Sequence, residues 1–185
     1  MKKAVFLDRD GTIIQEKDNL KNVRQLKLLP GAAQAIKTLN KTGFLVIIIT
    51  NQPVVARGWI TENHLKKIHD ILLERLQKSG ASVDGVYYCP HHPEANLKKY
   101  RKKCNCRKPN IGLIKKAARK FSVSLKGSFI VGDSTRDILA GNRAGLKAIL
   151  VKTGYAGKDG KYKAKPDFIV KNLKEAVKII KDNAK

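Results

Sequence analysis

Ala4-Val5-Phe6-Leu7 runs without a break into Asp8-Arg9-Asp10-Gly11-Thr12. Four apolar residues in a row, without alternation, are what a short strand shows when both of its faces are buried. Two carboxylates then leave its carboxyl end one residue apart. The same pattern returns along the chain. Residues 45–49, 83–88, 129–131, 148–151 and 168–170 read as further strands, most of them continuous apolar runs. Helical patterns fill the gaps at 31–40, 62–78, 111–121, 135–144 and 173–181. In 111–121, Leu113, Ile114, Ala117, Ala118 and Phe121 form the stripe of a helix packed on a sheet. Pro30 and Thr61 stand at expected helix starts, and Gly43, Gly80 and Gly145 just past expected ends.

Strands alternating with helices predict an α/β fold, a doubly wound and mainly parallel sheet. No repeat or low-complexity linker divides the chain, so 1–185 is expected to form one domain. In such a fold the ligand site lies beyond the carboxyl ends of the strands. Chemistry-bearing residues should therefore follow strands directly. The stretch 89–109 breaks the rhythm, has no periodicity and holds all 3 cysteines.

Composition bounds the partners. The 185 residues carry 39 Lys+Arg against 15 Asp+Glu, a net charge of +24, which favours an anionic partner without naming one. With 42% hydrophobic residues the chain is no disordered basic tail. No apolar run approaches the roughly 20 residues of a membrane helix. The opening residues do not read as a signal peptide, and a cytoplasmic protein is expected.

The strand ends carry the expected chemistry. Asp8 and Asp10 form a pair whose charge conflict a divalent metal ion would resolve. Ile47-Ile48-Ile49 ends in Thr50-Asn51-Gln52, a hydroxyl and two amides suited to a phosphoryl group. Val131-Gly132 ends in Asp133, with Asp137 four residues on. Lys108, between Arg107 and Pro109, closes the irregular loop where an ammonium can neutralise phosphoryl charge. Four of the 15 acids lie in two short strand-end segments.

As a set, Asp8-Arg9-Asp10-Gly11-Thr12, Thr50, Lys108 and Gly132-Asp133 with Asp137 resemble the four motifs of the haloacid dehalogenase superfamily of phosphotransferases. The resemblance implies a Rossmann-like fold and a two-step, Mg²⁺-dependent phosphoryl transfer. It makes Asp8 the nucleophile that becomes an aspartyl-phosphate, and Asp10 the acid and then the base. Mg²⁺ would be held by the Asp8 carboxylate, the Asp10 backbone carbonyl and Asp133. Asp137 would support the ion from behind or orient Lys108. Thr50, Asn51 and Lys108 would cradle the phosphoryl oxygens.

Cys89-Pro90-His91-His92-Pro93 and Cys104-Asn105-Cys106 give two close groups of soft ligands, suited to tetrahedral Zn²⁺. Cys89, Cys104 and Cys106 take three positions. His91 is preferred as the fourth, with His92 the alternative that spacing does not exclude. With four protein ligands the site reads as structural, pinning the loop that carries Arg107 and Lys108. His64 and His69 read as surface or core residues.

The cysteine motifs, with Ala56-Arg57-Gly58 and Cys106-Arg107-Lys108-Pro109, narrow the resemblance to a zinc-bearing branch without a large cap. It holds the heptose-bisphosphate and the histidinol-phosphate phosphatases, and this chain is more similar to the former. That resemblance implies a phosphorylated sugar as substrate, with Arg57 and Arg107 forked onto a second phosphate. Pro53-Val54 and Ser134 depart from the family pattern, in which Ser-Gly and Lys are usual. The competing reading is a polynucleotide 3′-phosphatase or a basic nucleic-acid-binding protein, resting on residues 98–108 with seven Lys/Arg and no acid. Only Tyr100 interrupts that run, so no row of stacking aromatics supports it. No nucleic-acid or membrane partner is expected, and a monomer is.

Overall fold

The computed structural model describes residues 1–183. Six strands form one sheet: β1 (Ala4–Leu7), β2 (Leu45–Asn51), β3 (Gly85–Cys89), β4 (Phe129–Gly132), β5 (Lys147–Val151) and β6 (Phe168–Val170). Every pairing is parallel, in the order β3-β2-β1-β4-β5-β6. The helices are α1 (Ala32–Lys41), α2 (Pro53–Ala56), α3 (Glu62–Lys78), α4 (Gly112–Phe121), α5 (Thr135–Ala144) and α6 (Leu173–Asp182). The doubly wound parallel sheet expected from the sequence is the one that forms.

Alternation along the strands explains their continuous apolar runs. Val5 and Leu7 of β1, with Val46 and Ile48 of β2, pack under Ile36 and Leu39 of α1, Ile68 and Leu72 of α3 and Val177 of α6. Ala4, Phe6, Ile47 and Ile49 point the other way, against Leu113, Ile114 and Ala117 of α4 and Ile138 of α5. Each face is covered, so each strand needs apolar residues at both parities.

The strand order reverses between β1 and β4, the neighbours from which the chain winds outward in both directions. A crevice opens at the carboxyl ends of strands at such a point. Asp8 follows β1 and Asp133 follows β4, so the two acidic motifs stand on either side of it. No second compact layer covers the crevice among the described residues; the long connections are 8–31, 90–111 and 152–167.

One element differs from expectation. Pro53-Val54 starts a single helical turn, α2, with Pro at its first position. Proline there loses only an N–H that no intrahelical acceptor would have met.

Candidate active site

Asp8, Lys108, Asp133 and Asp137 meet at the carboxyl edge of β1 and β4. Lys108 Nζ lies 2.9 Å from Asp8 Oδ1 and 2.6 Å from Asp137 Oδ1, and donates to the Ile49 carbonyl at 2.8 Å. Its third direction is thus spent on the end of β2. The Asp8, Asp133 and Asp137 carboxylates each bring an oxygen within 4.8 Å of the others. Asp133 Oδ2 accepts from Tyr155 N at 2.7 Å, and Asp137 Oδ2 accepts from the Ser134 hydroxyl at 2.7 Å.

The backbone closes tightly on this cluster. A Cβ on Gly11 would stand 2.2 Å from Asp133 Oδ2, and one on Gly154 would stand 2.1 Å from the same atom. Both glycines have positive φ, +72° and +60°, so side chains are excluded there by space and by conformation.

Three clustered carboxylates, two of them paired with one ammonium, leave an excess of negative charge in a buried place. Burial, then Asp137, pushes Asp8 up to about 7, with Lys108 opposing. Burial, then Asp137 and Asp8, pushes Asp133 up to about 8. Burial alone would lower Lys108, but Asp137 and Asp8 outweigh it and hold the ammonium above its usual value. A donor set of hard oxygens with surplus negative charge fits a hard divalent cation.

Asp10 stands beside this cluster in a network of its own. Arg9 donates through Nε and Nη2 to the two Asp10 oxygens, at 3.1 and 2.9 Å. Gln52 Nε2 donates to Asp10 Oδ2 and to Thr50 Oγ1, both at 2.8 Å. The Thr50 hydroxyl, accepting that bond, keeps its own hydrogen to donate. Asp8, Asp10, Thr50, Asn51 and Asp133 line one cleft, and Gln52, Ser134, Arg136 and Tyr155 are also in its wall.

Asn51 lines the cleft and is also tied to Lys108. Its Nδ2 donates to Lys108 O and its Oδ1 accepts from Lys108 N, both at 3.0 Å, so the side chain pairs with the lysine like an adjoining strand. Arg57 and Arg107 do not line the cleft. Arg57 lies over the Trp59 ring at 4.8 Å, and Arg107 Nη1 donates to the His91 carbonyl at 3.1 Å. Arg136 lines it instead, its Nε donating to the Ser134 hydroxyl at 3.0 Å. Ser134 thus has partners on both sides.

The cysteine loop brings four ligand atoms together. The Cys89, Cys104 and Cys106 sulfurs lie 3.1–3.5 Å apart, and His91 Nδ1 is 3.3 Å from Cys106 and 3.8 Å from Cys89. A tetrahedron drawn around zinc by bonds of about 2.0–2.3 Å has edges of about 3.5–3.8 Å; the histidine distances fit it, the sulfurs stand somewhat closer, and the donor set suits that ion. His92 is elsewhere occupied, its Nδ1 accepting from Glu94 N at 3.2 Å. The cluster sits two residues before Lys108, so the loop and the ammonium are fixed together.

Arg9, Gln52, His69, Arg136 and Tyr155 were not among the expected site residues. Arg9 and Gln52 lie inside the quoted motifs, which was the available signal. Arg136 likewise lies between Asp133 and Asp137, and no spacing marks His69 or Tyr155.

Residues 105–176 match the HAD-hydrolase-like family model. A D-glycero-beta-D-manno-heptose-1,7-bisphosphate 7-phosphatase of Pasteurella multocida is 36% identical over 98% of both chains. One from Rhodopseudomonas palustris is 42% identical over 77% of this chain and 79% of its own. The crystal structure of D,D-heptose 1,7-bisphosphate phosphatase from B. bronchiseptica, complexed with magnesium and phosphate, superposes with a TM-score of 0.87 at 34% identity, covering 98% of this chain and 99% of that one.

Proposed function

The chain belongs to the haloacid dehalogenase-like phosphatases, in the family of the heptose-1,7-bisphosphate 7-phosphatases, and from that premise we propose that it removes the C7 phosphate of D-glycero-D-manno-heptose 1,7-bisphosphate. The observation that carries the reading is the meeting of Asp8, Asp133 and Asp137, with Lys108 paired to the first and last, at the strand ends that open on the cleft.

Asp8 is the nucleophile. Its carboxylate attacks phosphorus while the sugar oxygen leaves, giving an aspartyl-phosphate. Lys108 and the Thr50 hydroxyl offset the charge on the equatorial oxygens. Asp10 gives a proton to the leaving oxygen, then takes one from the water that hydrolyses the intermediate. Asn51 keeps Lys108 in place through its backbone. Mg²⁺ is the cation that the Asp8 and Asp133 carboxylates and the Asp10 carbonyl would hold; when bound it supplies charge neutralisation at the phosphoryl oxygens. Asp137 holds Lys108 from behind. Zn²⁺ on Cys89, His91, Cys104 and Cys106 is structural. Arg57, Arg107 and Arg136 supply cations near the mouth for a second phosphate.

The partner is a phosphorylated sugar, with neither nucleic acid nor membrane, and the chain acts on it as one domain of 1–185 in the cytoplasm. Among the described residues no helix is long and apolar enough to cross a membrane. A charge of +24 repels a second copy, which favours a monomer.

The test is phosphate release with Mg²⁺ from heptose 1,7-bisphosphate, histidinol phosphate and a 3′-phosphorylated oligonucleotide. The bisphosphate is expected to have by far the highest kcat/KM, and Asp8→Asn to abolish turnover. Preference for either other substrate would sink the assignment.

A further inference from the structure

Arg9 is the largest fully buried side chain among the described residues. A guanidinium has five N–H donors and no acceptor, so burial obliges it to find partners for them. Arg9 spends Nε and Nη2 on Asp10, Nη2 again on Gln52 Oε1 at 2.8 Å, and Nη1 on His69 Nε2 at 3.0 Å. Because the guanidinium can only donate, Nε2 is the acceptor, and His69 is the neutral tautomer with its proton on Nδ1. Burial, then Arg9, pulls its basicity down to about 3, so it stays neutral at any working pH.

His69 comes from the inner face of α3, in line with Leu65, Ile68, Leu72 and Leu76, and is 4% exposed. A leucine would continue that apolar stripe. What histidine adds is a lone pair aimed at Arg9. The path from a rigid helix to the cleft is then short: α3 holds His69, His69 holds Arg9, and Arg9 grips both Asp10 oxygens. Gln52 closes the ring by bonding Arg9, Asp10 and Thr50 at once.

We propose that His69 is a positioning residue for Asp10, fixing through Arg9 the orientation of the carboxyl group that moves the proton at the leaving oxygen. This rests on the acid–base role assigned to Asp10 above. Without the Nε2 lone pair a buried Arg9 N–H loses its acceptor, and the guanidinium must turn and take Asp10 with it.

The test compares His69→Leu and His69→Gln with the wild type on two phosphate esters, in full-length protein with Mg²⁺. One is the sugar phosphate, whose alkoxide leaves poorly without a proton; the other is p-nitrophenyl phosphate, whose phenolate needs little help. Hydrolysis of the aspartyl-phosphate is common to both, so the readout is kcat/KM, which reports the first transfer. His69→Leu is expected to lower kcat/KM for the sugar phosphate by about 10²-fold, the cost of a misplacement near 1 Å, and for p-nitrophenyl phosphate by less than about fivefold. His69→Gln, whose amide oxygen can replace the acceptor, should recover most of the loss. Where His69→Leu does not fold, His69→Asn, polar but too short to reach Arg9, takes its place. Equal losses on the two esters, or no recovery with Gln, would overturn the proposal. Asp10→Asn is the reference: if its loss is also the same on both esters, the acid role of Asp10 falls and this inference with it.

Discussion

At the scale of single residues the site is a charge imbalance held in place by the fold. Asp8 and Asp133 are raised to about 7 and about 8, chiefly by burial and by their neighbours. Raised carboxylates keep protons in the folded protein that the unfolded chain has already released. Stability without Mg²⁺ is therefore full below the ordinary carboxylate range and falls as pH rises through the folded values. For Mg²⁺-free, zinc-loaded protein, Tm should be lower at about pH 8.5 than at about pH 6, by several degrees, since about 1 kcal/mol moves Tm by about 2–4 °C at this length. Added Mg²⁺ should stabilise most at the higher pH, where the carboxylates are ionised. Differential scanning fluorimetry across that range is the check, and a Tm rising with pH would contradict it. Asp8, Asp10, Lys108, Asp133 and Asp137 were legible because each follows a strand or closes the one irregular loop. The long-range partners of Arg9 were not: Gln52 and His69 lie 43 and 60 residues away, and only the folded sheet shows that these positions meet.

At the scale of elements, the least regular one carries the most exacting task. The connection 90–111 contains one 3₁₀ turn, Lys98–Tyr100, and otherwise depends on tethers. The four-ligand cluster ties the start of the loop, at Cys89 and His91, to its far end, at Cys104 and Cys106; Asn110, donating to the Cys104 carbonyl at 2.8 Å, and Asn51, through Lys108, fix that far end further. Cys104→Ser should empty the zinc site, measured as metal content by mass spectrometry. It should lower kcat by about 10–100-fold, as loss of orienting support does, and by less than Lys108→Ala. A zinc-free variant with full turnover would show that the loop needs no metal to place Lys108. The regular elements were easier to read, because burial on both sheet faces writes apolar runs that any strand search finds. Their edges were harder. β3 starts at Gly85 rather than at 83 because the chain before it is held by side chains: Asp84 Oδ2 accepts from Val46 N at 2.7 Å, and the Asn40 side chain bonds both backbone groups of Ser82. α2 was invisible because its single turn carries no periodicity, only a proline at its start.

At the scale of the whole molecule the chain is a strongly positive body with a negative centre. With 39 cations and 15 acids, pairing one to one still leaves 24 positive charges, while the acids of the site are turned inward. The surface field should draw phosphorylated substrates toward a cleft where their charge is then met by Lys108 and a bound cation. Such steering acts on encounter, so it belongs in kcat/KM and not in kcat. Raising salt shrinks the Debye length from about 30 Å at 0.01 M to about 10 Å at 0.1 M, which removes most of the long-range attraction. For heptose 1,7-bisphosphate, kcat/KM should therefore fall several-fold over that range at constant kcat, and more than for a sugar monophosphate, which carries about half the charge. Steady-state kinetics at constant Mg²⁺ and pH would measure both slopes. A fall of about 10³-fold or more with an oligonucleotide would instead be the signature of many phosphates contacted at once. Equal slopes for mono- and bisphosphate would mean that the surface charge does not steer the substrate, leaving the positive excess without a part in catalysis.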